Sequence, residues 1–198
     1  MDEFNSECPS MSAVFTPART KISFDRFQRM VAAGALTKCD RVELIEGEMI
    51  DRAPIGSKHA AAVDELNRLL VLALSDRAIV RCQGPVVLGD FSEPQPDLAL
   101  LRLRAGGYRG RLPSAEDILW IIEVSDSTQS FDRGTKLPMY AKHGVPEVWI
   151  VDVIAKCAEI YRNPSLSGYQ TKVMATATES SSPSALPEIR IAWSDILG

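Results

Sequence analysis

Two carboxylates, Asp97 and Glu123, stand where the neighbouring residues predict the ends of strands. Glu123 closes the apolar run Ile118-Leu-Trp-Ile-Ile, and an isolated ionised carboxylate in such a setting is costly unless something compensates it. Asp97 follows Pro96 and opens the β-prone run Leu98 to Leu103. Carboxylates entering from neighbouring strand ends can cage a hard divalent cation such as Mg²⁺. Each alone could equally cap a loop or pair with an arginine. The densest basic stretch is Arg102, Arg104, Arg109 and Arg111 around Gly106-Gly107. It follows directly on the strand begun by Asp97, where it would steer a phosphate backbone toward the cleft or serve as a solvated loop.

These groups need elements to position them. Residues 1–20 are polar, carry Pro9 and Pro17, and read as a flexible arm ahead of one domain over 21–198. Phe24, Phe27 and Val31 recur at helical spacing with Gly34 as a stop, and Arg41 to Asp51 reads as two strands turning at Glu46-Gly47. Ser57 is placed to cap a helix in which Val63, Leu66, Leu70 and Leu74 form the apolar stripe. Short β-prone runs follow at Val80, Val86 to Leu88 and Leu98 to Leu103, and Ile118 to Val124 predicts a central strand covered on both faces. A helix is expected over Thr135 to His143, with Pro138 in its first turn. Strands are expected at Glu147 to Val153, Cys157 to Tyr161, Tyr169 to Ala175 and Ile189 to Trp193, with a mobile Ser-rich loop over Glu179 to Ser184. The order predicts an α/β (α+β) fold with a mixed sheet.

Composition narrows the chemistry. A chain of 198 residues with 45% apolar residues can close a sizeable core. The N-terminus lacks the basic start and apolar centre of a secretory signal, and no apolar run is long enough to span a bilayer, so a cytoplasmic protein with no membrane partner is expected. Cys8, Cys39, Cys82 and Cys157 form no CxxC pair and read as reduced thiols packed in the core. The net charge of -4 argues against tight passive binding of nucleic acid, although bound cations would offset an acidic cluster. Phosphate-loop, GxGxxG, GxSxG and HExxH patterns are all absent. An Asp97–Glu123 glycosidase pair has no other support in the sequence.

The ordered series of short segments is more specific than any one of them. Glu43-Leu-Ile-Glu-Gly-Glu48 is followed by His59, Pro96-Asp97-Leu-Ala-Leu100 and Glu123-Val-Ser-Asp-Ser-Thr128. Asp132-Arg-Gly-Thr-Lys136-Leu and Tyr140-Ala-Lys-His-Gly-Val-Pro-Glu-Val-Trp-Ile-Val-Asp152 complete it. Over roughly Ser23 to Trp193 the chain resembles the large bacterial family of putative restriction endonucleases once known only as a domain of unknown function. The resemblance implies a restriction-endonuclease-like PD-(D/E)XK core, a mixed central sheet flanked by helices, with an added N-terminal hairpin and C-terminal strands. It implies Mg²⁺ or Mn²⁺ held by Asp97, Glu123 and the carbonyl of Val124, and DNA as substrate. Ser125 stands where the wider superfamily has a lysine two residues after the glutamate, and Lys136 is the candidate replacement. Glu43 is a third candidate acid, and His59 is placed to touch a phosphate or orient Glu43. A chain this small would cut both strands as a homodimer. The competing reading is a non-catalytic nuclease-fold module that binds nucleic acid or protein, with the acidic pair structural.

Overall fold

The computed structural model describes residues 19–198 other than 38 and 75. All but the last two residues of the expected arm, and Cys8 with them, lie outside the described residues. Helix α1 (Phe24–Ala32) starts where Ser23 accepts a hydrogen bond from the Arg26 backbone at 3.3 Å, and it buries Phe27. Strands β1 (Val42–Ile45) and β2 (Glu48–Asp51) form the expected hairpin. Glu46 and Gly47 turn it with φ of 49° and 90°, the paired positive values that a two-residue hairpin turn requires. Gly47 is doubly constrained, because a Cβ there would stand 2.6 Å from the Lys21 Cβ.

Helix α2 (Ser57–Leu74) presents Val63, Leu66, Leu70 and Leu74 to the core, as the apolar stripe predicts. Its first turn is closed by the Gly56 carbonyl, which accepts from Ala60 N at 3.0 Å, so Ser57 is the first helical residue rather than the cap. The main sheet contains β3 (Ala78–Cys82), β4 (Leu98–Arg102), β5 (Ile118–Ser125), β6 (Glu147–Asp152), β7 (Cys157–Ser165) and β8 (Gly168–Thr176). They lie side by side in sequence order; β5 and β6 are parallel and every other neighbouring pair is antiparallel. Alternation along β5 divides the core. Trp120, Ile122 and Val124 pack toward α2, while Ile121 joins Met139 and Tyr140 on the opposite face.

The crossover between β5 and β6 starts earlier than the sequence predicts. Helix α3 (Gln129–Phe131) runs through a π-helical turn, Asp132–Lys136, into α4 (Leu137–Lys142). Pro138 therefore lies inside the composite helix, just past the π turn, where Leu137 N reaches back to the Asp132 carbonyl. A widened turn relaxes the fixed hydrogen-bond pattern that a proline otherwise breaks.

Other expectations change for similar local reasons. Val86 and Leu88 are buried in a connection rather than a strand, and only Val87 bridges, to Ser114. Ile189 to Trp193 contributes only β10 (Ile191–Ala192), which pairs with β9 (Ser180–Ser181) in a small separate sheet before α5 (Ser194–Leu197). That pairing and two carboxylates anchor the Ser-rich segment expected to be mobile. Glu179 accepts from Thr176 N at 2.7 Å, and Glu147 accepts from Ser184 N at 2.8 Å. Cys39 and Cys82 are exposed and Cys157 is half-buried, because they fall in a turn and at strand ends rather than in the core. Among the described residues, no helix is long and apolar enough to cross a membrane.

Candidate active site

Antiparallel pairing explains why residues 26 positions apart meet. Leu98 pairs with Ile122, so Asp97, one step before β4, faces Glu123 near the end of β5. Residues directly opposite in this way have Cβ atoms about 4.5–5.5 Å apart. The Asp97 backbone N–H points at Glu123 Oε2 at 3.4 Å, and Val124 N–H donates to Asp97 Oδ2 at 2.9 Å. Both carboxylates are nearly sealed, with 7% of Asp97 and 3% of Glu123 exposed. They line a cavity of about 350 Å³, together with Glu43, His59, Asp132 and Lys136.

Lys136 enters from the π turn. Its ammonium is 3.2 Å from Glu123 Oε1 and 3.2 Å from Glu43 Oε2. It thus reaches the space beside Glu123 from the helix, whereas Ser125, on the same face of β5, is used otherwise. The Ser125 hydroxyl donates to Asp132 Oδ2 at 2.6 Å, as does the Thr128 hydroxyl. Asp132 is therefore the buried acceptor that pins the π turn to the strand. The sequence places Lys136 near the site; the widened turn that aims it has no local signature except Gly134 and the out-of-place Pro138.

The remaining expected residues divide by location. Glu43, on β1, is buried, and its Oε1 also meets the Arg52 guanidinium at 3.2 Å. His59, in the first turn of α2, contacts Asp97 rather than Glu43, with Nε2 donating to Oδ2 at 3.1 Å. Arg102 and Arg104 do not line the cavity. The antiparallel pairing that brings the start of β4 to the end of β5 carries Arg102 to the far end, where Arg102 Nε donates to the Glu116 carbonyl at 3.1 Å. Other groups at or beside the cavity were not legible in the sequence. Tyr140 donates its hydroxyl to Glu123 Oε1 at 2.6 Å, Arg52 bonds Gln95 at 3.0 Å beside Glu43, and Arg41 lines the mouth. Tyr140 reads as one more apolar position of an amphipathic helix, and only the packing reveals its polar end.

Charge is concentrated here. Burial pushes the Glu123 carboxyl up to about 8; Lys136 pulls against it, while Asp132, Asp97 and Glu43 push the same way. For Asp97 burial also favours the neutral form, but His59, the Val124 N–H and Lys136 outweigh it and hold the carboxyl below its usual range. The Asp97 hydrogen bond raises His59, against its own burial. Burial opposes the charge of Lys136, yet Glu123, Glu43, Asp132 and Asp97 together hold it above the usual lysine range. Four buried acids thus surround one ammonium, with a guanidinium and an imidazole at the margins.

The donors suit a hard cation in part. Among the described residues, no three His, Cys, Asp or Glu side chains are close enough to hold an ion by themselves. Mg²⁺ commonly takes only one or two carboxylates and completes its shell with water and substrate phosphate. Asp97 and Glu123 meet that need, and Glu43 Oε2, buried with the Lys136 ammonium 3.2 Å away but no well-aligned donor, leaves acceptor capacity in the same cavity.

A model of a known family, described as Uma2, putative restriction endonuclease, matches residues 24–194. The chain belongs to this family. The Uma2 match spans every element that builds the cavity. A crystal structure described as a putative nuclease belonging to DUF820, from Anabaena variabilis ATCC 29413, superposes with a TM-score of 0.71. It is 18% identical, over 89% of this chain and 97% of that one, and shows the shared restriction-endonuclease-like fold. No curated protein matches the chain in sequence.

Proposed function

We propose that this Uma2-family protein is a divalent-metal-dependent endonuclease that hydrolyses phosphodiester bonds of DNA. The observation that carries the reading is the convergence of Asp97, Glu123 and Lys136 in one buried cavity. Asp97 and Glu123 would hold Mg²⁺ or Mn²⁺. The carbonyl of Val124 belongs to the strand edge whose N–H already bonds Asp97, which makes it the natural third ligand. When bound, the cation supplies Lewis acidity toward a phosphate oxygen and lowers the pKa of water.

The side chains supply the rest. His59 and the Val124 N–H fix the rotamer of Asp97, and Tyr140 fixes that of Glu123. Lys136 places a positive charge where the phosphate gathers negative charge in the transition state. Glu43 orients that ammonium and offers an acceptor to an attacking water. One such site cuts one strand; a homodimer supplies the second site that a double-strand cut requires.

Metal binding is the first test. Isothermal titration of the purified protein with Mn²⁺ should give a binding isotherm that Asp97→Asn removes while the far-ultraviolet circular dichroism is unchanged. Equal binding by wild type and variant would move the metal elsewhere and favour the non-catalytic module.

A further inference from the structure

We infer that the cavity takes an unpaired nucleotide, so that single-stranded DNA or an unpaired arm, rather than an intact duplex, is the preferred substrate. The inference rests on the nuclease reading for its chemistry but on separate observations for its selectivity. Its first support is depth. The acids that would meet the phosphate are almost fully buried, and the cavity of about 350 Å³ lies at the small end of the roughly 300–1,000 Å³ usual for sites that enclose a small molecule. A strand held in a duplex presents its phosphates on a stiff cylinder, whereas a free strand can bend a single nucleotide inward.

The second support is the wall. Beside the acidic cluster the lining includes an apolar stretch, Ala53, Pro54 and Ile55 from the connection into α2 with Phe131 from α3, set among polar residues such as Gln95, Asp126 and Ser127. Ile55, 43% exposed, offers apolar surface to solvent within this stretch. In a duplex the bases face one another and cannot use such a wall; an unpaired base can lie against it while its phosphate meets the floor. Sites that accept single strands set surface on which bases lie beside cationic groups for the backbone, and Lys136, Arg52 and Arg41 are the cationic groups of this lining.

The third support is charge. Duplex binding draws on many lysines and arginines along the groove that meets the backbone. Of the cations lining this cavity, Lys136 and Arg52 are both engaged with Glu43, which leaves Arg41 at the mouth. The arginine-rich loop lies at the other end of β4. A short unpaired segment, with few phosphates to neutralise, matches this arrangement better than a duplex track.

The test uses labelled oligonucleotides of one sequence as a single strand, a blunt duplex, and a duplex with an unpaired 3′ arm. Binding is followed by fluorescence anisotropy and cleavage is followed in parallel with Mn²⁺. The expected result is at least roughly tenfold tighter binding of the single strand and the armed duplex than of the blunt duplex. Ile55→Ser, at an exposed position and without added charge, should weaken single-strand binding roughly fivefold or more. Phe131→Ala should act in the same direction. Equal binding of all three nucleic acids, a preference untouched by both variants, or no binding at all would overturn the inference. Cleavage of the blunt duplex as fast as the single strand would overturn it while leaving the nuclease reading intact. Selective single-strand binding without cleavage would do the reverse.

Discussion

Lys136 and Ser125 are linked through Asp132. Ser125 spends its hydroxyl on Asp132, which anchors the turn from which Lys136 reaches Glu123 and Glu43. Removing one partner of a buried ionic cluster costs about 3–5 kcal/mol when the remaining charge has no substitute. Lys136→Met should therefore lower stability by about 3 kcal/mol at neutral pH, read from urea unfolding, and abolish cleavage under conditions where the variant remains folded. The deficit should grow as pH rises through about 8, where Glu123 gives up its proton and its charge is left without the Lys136 ammonium. Wild-type stability in Lys136→Met would contradict this account of the cluster. Asp97 and Glu123 were legible as chemistry because carboxylates are out of place beside apolar strand residues. Tyr140 and Arg52 were not, because neither type is unusual in its local pattern.

Another buried acid, Glu93, lies beside α1. Burial raises Glu93 from an ordinary 4.5 to about 7, against the hydrogen bond it accepts from Gln28. Because the folded state holds this proton more tightly than the unfolded chain, Glu93 favours folding fully below pH 4.5, and that contribution is lost as pH rises through about 7. A shift of that size corresponds to roughly 3 kcal/mol. Glu93→Gln should accordingly gain stability relative to wild type between acidic pH and pH 8, measured as the difference in unfolding free energy across the pH range. A difference that is flat with pH would show that Glu93 is not protonated in the folded protein.

At the level of elements, the site depends on a hairpin and an irregular helix. The hairpin carries Glu43 and is tied to the segment leading to Asp97: Gly47 N donates to the Phe91 carbonyl at 2.7 Å, and Glu93 N to the Leu44 carbonyl at 2.7 Å. Gly47→Ala would place a Cβ against Lys21 in a left-handed conformation. It should cost on the order of 2 kcal/mol, visible as a lower thermal midpoint, and should reduce metal-dependent activity by loosening Glu43. The Glu46-Gly47 turn and the α2 stripe were readable because each has a short-range cause. The composite helix was not: its start depends on the Asp132 bonds to Ser125 and Thr128, which join residues of the strand, the loop and the π turn. Val86 and Leu88 are apolar because the core needs them, which periodicity alone cannot distinguish from a strand.

For the whole molecule, the six-stranded sheet places its two carboxylates and its arginine-rich loop at opposite ends of the same strand pair. Sequence adjacency suggested that Arg102 and Arg104 would serve the cleft, but strand direction separates them. The overall charge of -4 is consistent with this division: the protein concentrates acid where a cation would bind instead of presenting a basic groove around the cavity. A metal that binds only the folded protein should also raise its thermal midpoint as concentration increases, and this gain should be absent in Asp97→Asn.

The most direct test of the central claim is hydrolysis of single-stranded and plasmid DNA by wild type, Asp97→Asn and Glu123→Gln, each with Mg²⁺, Mn²⁺ or excess chelator. Wild type should cleave with metal and not with chelator, and both folded variants should lose at least about a hundredfold, since each removes a group acting on the transition state. Equal cleavage by wild type and both variants, or no cleavage by wild type under any metal, would contradict the claim.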